Sequence, residues 1–377
     1  MPDRAWDGGK TERLTVAVIG MGERGRIHLY GFLKNLEYFH VAGVCDGKEE
    51  NLEKAVKEYG ISKDICYTDA RLMLDKVRPD ILAFVTMPHI RLPLAELAAE
   101  YKVRGLMFEK PMATSLDEAD KIRKLCMENG IKTIVCHQHK YVRSFMRLKE
   151  AIDSGELGEI HEMKASCQPQ ASQLGTHYID YLLWANGGKR VLSVTGHVHG
   201  NFYLDDSHPS PDYVMGQMIC ENGVRMTLEC GYFASRHEEH NTEFTHGPAE
   251  AAYWTDDRLT VYGTKGYAWA SCNGKYAVFS PLTSPDIREG DYHDFFQKEQ
   301  YDAQVRYTKD FADWMNKVKD GHPCSLSQAY HGYEILEAMY VSAIERTRVD
   351  LPMRLPLQYD ALEVLKDKLG PVKYRRF

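Results

Sequence analysis

The stretch "LTVAVIGMGERGRIH", residues 14–28, decides the fold of this chain. Its first seven residues form a nearly continuous apolar run, the pattern of a strand buried on both faces. Gly20, Gly22 and Gly25 follow in GxGxxG spacing, and the residues from about Arg24 to Leu36 read as a helix. The three glycines serve a sharp turn, close approach of the backbone to a pyrophosphate, and tight helix–strand contact, in that order. The helix N-terminus then presents N–H groups and a partial positive charge to phosphates. Asp46 stands 46 − 25 = 21 residues beyond Gly25, at the end of a second strand, "HVAGVCD". Its carboxylate can accept hydrogen bonds from both ribose hydroxyls of NAD and would repel the 2′-phosphate of NADP. A glycine turn alone is weak evidence. Strand, turn, helix and acid together predict a dinucleotide site.

The alternation continues downstream. "NLEKAVKEYG" has helical spacing and ends on Gly60, a C-cap candidate. "DILAFVTMP", "GLMFEKP" and "KTIVCHQH" read as strands separated by the helices "IRLPLAELAAEYK" and "SLDEADKIRKLCMENG". Ser115 and Glu118 open the latter with capping-box spacing. Strands joined by helices of this length predict an α/β Rossmann domain with a parallel sheet over residues 13–140. Beyond it the texture changes. After the helix "SFMRLKEAIDSG" come strand candidates "IHEMKASCQ", "RVLSVTGHVHG", "YVMGQMIC", "VRMTLECGY", "RLTVYG" and "YAWASC", divided by Gly, Asn and Asp turn signals. Two late helices, "TKDFADWMNKVKDG" and "SQAYHGYEILEAMYVSAIERT", complete an α+β domain over residues 141–377, with a large open, mainly antiparallel sheet.

Composition narrows the function classes. A chain of 377 residues is too long for one ordinary core, and two domains are the expectation. The formal net charge of −7 argues against nucleic acid as the main partner. No apolar run is long enough to span a bilayer. The lead "MPDRAWDGGKTERL" lacks the order of a signal peptide and reads as short and disordered, so a cytoplasmic address is expected. The nine cysteines are odd in number and have no close metal-type or redox-type pair, so buried free thiols are expected. "RHEEHNTEFTH", residues 236–246, gathers histidines and carboxylates but lacks metal-ligand order. It reads as a loop over a pocket or at a subunit edge, and no metal is expected.

"ASQLGTHYIDYLLW", residues 171–184, sets Gln173, His177 and Asp180 among large apolar residues. On a helix, spacings of four and three align them in one polar stripe, which is either a wet surface or the wall of a site. His137, His139, Lys140 and Tyr141 follow the last parallel strand and offer donors, acceptors and an aromatic ring, as a binding segment or a polar loop would.

Several of these stretches resemble the Gfo/Idh/MocA oxidoreductases, the sugar and inositol dehydrogenase family. Glu109-Lys110-Pro111 resembles its EKP signature, "TMPHIRLPLAELA" its segment after the fourth strand, and "GTHYIDYLLWANGG" its GxHxxD helix. The domain junction "HQHKYVRSFMRLKEAIDSGELGEIHEMKA" and the late "LTVYGTKGYAWA" are also similar, so the likeness covers about residues 13–353. The resemblance implies a substrate pocket over the nicotinamide and a homo-dimer or homo-tetramer. Thr86, Pro88 and Glu109 would lie beside the cofactor. Lys110 would serve both cofactor and catalysis, with His177 as catalytic base. Asp180, Gln173, His137 and Tyr141 would contact substrate. One departure stands out: many family members carry Asp four residues before the histidine, where this chain has Gln173.

A carbinol that loses hydride must also lose a proton, which a neutral imidazole can take. An ammonium beside the same oxygen stabilises its alkoxide character. The expected function is NAD-dependent oxidation of a secondary alcohol of a sugar, glycoside or cyclitol. The alternatives are a redox-neutral glycosidase that uses bound NAD and a non-catalytic sensor of NAD and sugar.

Overall fold

The computed structural model describes residues 12–206, 208–231, 233–237, 256–292 and 296–372. The lead before residue 12 and residues 238–255, which include most of the histidine-rich stretch, lie outside the described residues. The chain forms two compact units: Met1–Glu109 with Lys124–Cys136 and Gln304–Ser325, and Lys110–Arg123 with His137–Ala303 and Leu326–Phe377.

The first unit is built on six parallel strands: β1 (Leu14–Ile19), β2 (Phe39–Cys45), β3 (Cys66–Tyr67), β4 (Ile81–Phe84), β5 (Gly105–Glu109) and β6 (Lys132–Cys136). Their order is β3-β2-β1-β4-β5-β6, in which the direction of winding reverses between β1 and β4. Ligands of such sheets bind at the carboxyl ends of strands at that reversal. Every residue of β4 and β5 is buried, as the unbroken apolar runs require, and Phe84 and Phe108 stack at 5.0 Å across the pair. The sequence did not signal β3, a two-residue edge strand too short to carry periodicity. Gly60 caps its helix as expected, with φ +66° and its N–H on the Val56 carbonyl. Only half of the capping box forms. Ser115 Oγ accepts from the Glu118 N–H at 3.2 Å, but the Glu118 carboxylate turns to the N–H and hydroxyl of Thr114.

The second unit carries a nine-stranded sheet. Its strands are β7 (Ile160–Cys167), β8 (Val191–His199), β9 (Tyr213–Cys220), β10 (Arg225–Gly231), β11 (Asp257–Gly263), β12 (Tyr267–Ala270), β13 (Lys275–Phe279), β14 (Arg288–Asp291) and β15 (Val349–Asp350). They run in the order β14-β13-β12-β11-β7-β10-β9-β8-β15, and only β7 with β10 is parallel. Alternating residues such as Met163 and Ala165, Met218 and Cys220, and Leu259 and Val261 point to one buried face. The helices Thr176–Ala185 and Leu326–Glu345 share that core. All nine cysteines are free thiols, and all but Cys66 are buried. Among the described residues no helix is long and apolar enough to cross a membrane.

Candidate active site

In the first unit the glycines divide their roles as the spacing predicts. A Cβ on Gly25 would stand 1.8 Å from the Gly20 carbonyl oxygen, so close packing of turn and helix demands glycine there. Gly20 has φ +90°, and a Cβ on it would meet the Val85 carbonyl oxygen at 2.3 Å. Around Gly22, by contrast, a Cβ would meet nothing within 4 Å. Protein packing therefore does not require glycine at that position. Approach of a pyrophosphate would.

Asp46 sits against this turn. One carboxylate oxygen accepts from the Met21 N–H at 2.7 Å and from Asn51 Nδ2 at 3.1 Å, and the other from the Lys48 N–H at 2.9 Å. Thr86 packs beside Gly20, and its buried hydroxyl has no hydrogen-bond partner among the described residues. Pro88 is buried and opens a short 3₁₀ turn. An open glycine, a fixed carboxylate and an unsatisfied hydroxyl fit the phosphates, ribose and polar edge of a dinucleotide.

Glu109 faces inward. Its carboxylate accepts from Arg24 Nε at 2.6 Å and His28 Nε2 at 2.9 Å, and Arg24 also reaches Cys136 Sγ at 3.2 Å and Gln304 Oε1 at 3.0 Å. His28, Glu109 and Cys136 cluster closely enough to hold a metal ion, but the Arg24 guanidinium already supplies the cation there. Burial alone would raise the Glu109 pKa, yet the charge of Arg24 and the His28 hydrogen bond hold it well below the usual range. Burial lowers the His28 pKa, against the Glu109 hydrogen bond and helped by the Arg24 charge.

That depression has a testable sign. Folded His28 resists a proton that the unfolded chain accepts near the ordinary imidazole value of 6.5. Its contribution to stability is complete above that value and is lost as pH falls through it toward the lower folded pKa. Denaturant melts at about pH 7.5 and about pH 5.5 are expected to differ less in His28→Gln than in the unaltered protein.

The second unit assembles the other candidates. "ASQLGTHYIDYLLW" does not form one regular helix, which corrects the expected stripe. Ala171–Gly175 form a wide π-helical turn, closed by the Gly175 N–H on the Gln170 carbonyl at 3.3 Å, and the α-helix begins at Thr176. The wide turn takes Gln173 out of register with His177 and Asp180, and such turns recur at functional sites. It also changes what Gln173 offers: its backbone carbonyl accepts Lys110 Nζ at 2.7 Å.

His177 is buried, and its Nδ1 pairs with the Tyr181 hydroxyl at 2.9 Å, one turn along the helix. The ring lies between two others. His137 meets it edge-on at 5.0 Å, and His139 stacks at 5.3 Å with 20° between planes. His139 is held in turn by Cys272 Sγ at 3.1 Å from Nδ1. Asp180 is 1 % exposed and forms an ion pair with the equally buried Lys140; its carboxylate also receives Gln328 Nε2 at 3.0 Å and lies 3.6 Å from His137 Nδ1. Tyr141 packs its ring against the core of this unit.

The structure therefore gathers Lys110, Gln173, His177, Asp180 and His137 in one unit, and Gly20, Gly22, Gly25, Asp46 and Thr86 in the other. Sequence reading missed Tyr181, although its spacing of four from His177 was a visible signal. It also missed Asn51, Gln328 and Cys272, which reach their partners only through the fold.

Comparison with known proteins places the chain in a family. Residues 14–137 match the family model described as the GFO/IDH/MocA oxidoreductase family, NAD-binding Rossmann fold, and residues 171–269 match the GFO/IDH/MocA C-terminal domain. The chain is 22 % identical to myo-inositol 2-dehydrogenase of Thermotoga maritima, over 83 % of this chain and 91 % of the relative. It is also 22 % identical to D-glucoside 3-dehydrogenase of Escherichia coli, over 90 % and 97 %. Among solved structures, levoglucosan dehydrogenase in complex with NADH and levoglucosan superposes with a TM-score of 0.74 at 16 % identity, covering 91 % of this chain and all of the other. At that identity the likeness is one of fold.

Proposed function

Because this chain belongs to the GFO/IDH/MocA family of NAD-binding oxidoreductases, we propose that it oxidises a secondary alcohol of a sugar, glycoside or cyclitol by hydride transfer. The observation that carries this reading is the Lys110 ammonium anchored on the Gln173 carbonyl, one turn before His177. The Lys110 ammonium is thereby held on a carbonyl four residues before the candidate base in the chain. The sugar and cyclitol dehydrogenases among its relatives support the substrate class.

NAD, when bound, supplies the hydride acceptor. Gly22 admits the pyrophosphate, the helix N-terminus faces its charge, and Asp46 accepts from the ribose hydroxyls, which favours NAD over NADP. His177 takes the hydroxyl proton at Nε2 in the tautomer whose Nδ1–H donates to the Tyr181 oxygen. Lys110 hydrogen-bonds the same oxygen and stabilises negative charge as it grows. His137 and Tyr141 are assigned to the sugar, with Asp180 holding His137 and Lys140 in place.

A panel of sugars, glycosides and cyclitols, followed by NADH absorbance and by product mass, tests the proposal. The expected result is NADH formed in step with a ketone two mass units lighter than its alcohol. Aglycone released from a glycoside without net NADH would replace this reading with the redox-neutral one. Turnover of no member would overturn it.

The open space at Gly22 gives a second test. Gly22→Ala, at the N-cap of the helix Glu23–Leu33, is expected to lower the melting temperature by no more than a few degrees, because alanine in place of glycine at a cap costs at most about 1 kcal/mol. NAD affinity should fall at least about tenfold, the effect of about 1.4 kcal/mol. Unchanged affinity by calorimetric titration would detach the turn from nucleotide binding.

A further inference from the structure

The second unit holds a cavity of about 750 Å³ that the proposed chemistry does not use. It lies between the middle of β8, the end of the helix Leu326–Glu345 and the C-terminal helix Ala361–Lys368. Its volume falls in the range of small-molecule sites, roughly 300–1,000 Å³. Val198, Ala343, Ile344, Leu365 and Leu369 give it an apolar lining.

The polar lining has one sign. Among the described residues of the wall, Arg346, Arg348 and Lys368 are the charged groups and His197 is the other titratable one, all four exposed, and none is a carboxylate. Among the described residues Arg346, Lys368 and His197 have no hydrogen-bond or ion-pair partner; Arg348 pairs with Asp350 at 3.0 Å, outside the lining. The neighbouring acid Glu345 accepts from the Tyr359 hydroxyl instead. Arg346 also occupies a left-handed position, φ +56°, just past the helix end, where glycine is the usual residue.

A helix C-terminus favours cations through its dipole, which accounts for basic residues at such ends. It does not account for uncommitted cations from two helix ends meeting over one apolar concavity without an acid, in a chain of net charge −7. We propose that this cavity is an accessory binding site for a small organic anion, an apolar body bearing a phosphate or carboxylate. The anionic group sits among Arg346, Arg348 and Lys368, and the body lies against Ile344 and Leu365. The site is independent of the reaction assigned above.

The test is calorimetric titration of the full chain with saturating NAD, so that the nucleotide turn is filled. Phenyl phosphate is the probe and benzyl alcohol its neutral counterpart. The expected result is saturable binding of phenyl phosphate with a Kd of about 1 mM or tighter, and none of benzyl alcohol in that range. A charge-assisted hydrogen bond accounts for about tenfold in affinity. Arg346→Ala and Lys368→Ala should each weaken binding by about that factor, with melting temperature and NAD affinity unchanged. Absence of saturable binding, equal binding of the neutral probe, or equal binding by both variants would overturn the proposal.

Discussion

Lys110→Ala is expected to lower kcat by about 10²–10³-fold, the usual consequence of removing one donor to a developing oxyanion. NAD affinity should be largely kept, since Gly20, Gly22, Gly25 and Asp46 all belong to the other compact unit. His177→Ala should cost about 10²–10⁴-fold, the range of general-base removal. The two losses should not multiply in the double variant, because both groups act on one hydroxyl. Lys110→Arg keeps the charge and a donor but changes its reach from Gln173, so it separates electrostatics from geometry. Steady-state kinetics with NAD titration checks each of these. Near-normal turnover in both single variants would remove the assigned roles.

The second large effect concerns stability. Asp180→Ala leaves the Lys140 ammonium 1 % exposed without its carboxylate. Breaking a buried pair from one side costs about 3–5 kcal/mol. Gln328 and His137 lose a partner as well, but both retain other contacts. Adding Lys140→Met should recover most of that loss, because a buried pair replaced from both sides by apolar groups is often neutral. Denaturant unfolding of both single variants and the double variant measures the coupling. A loss under about 1 kcal/mol in Asp180→Ala would mean that water reaches Lys140.

Residues 14–46 disclosed the nucleotide half of the molecule because its requirements are local. A buried strand, three glycines and an acid at fixed spacing each leave a mark on the sequence. Six of the strands in the second sheet were legible for the same reason, since one buried face imposes alternation. The misses have physical causes. β13, β14 and β15 are five, four and two residues long, and β14 and β15 bury no residue, so too little alternation remains to be read. The π-helical turn at Ala171–Gly175 is invisible to a 3.6-residue reading, so Gln173 was aligned with His177 by a period that the backbone does not keep there. Its carbonyl, a group every residue has, could not be singled out as the anchor for Lys110. Likewise, the ion pair of Lys140 with Asp180 joins residues 40 positions apart, beyond what spacing reports.

The path of the chain bears on biosynthesis. Residues 304–325 belong to the first compact unit although most of the second unit is encoded before them. There Val305 receives the Asn35 amide, Tyr307 meets the edge of His28, and Cys324 accepts from Val135. The nucleotide-binding half consequently stays unfinished on the ribosome until translation passes Ser325. A nascent chain stalled earlier lacks these contacts to Asn35, His28 and Val135, and a fragment cut near residue 140 would lack them permanently.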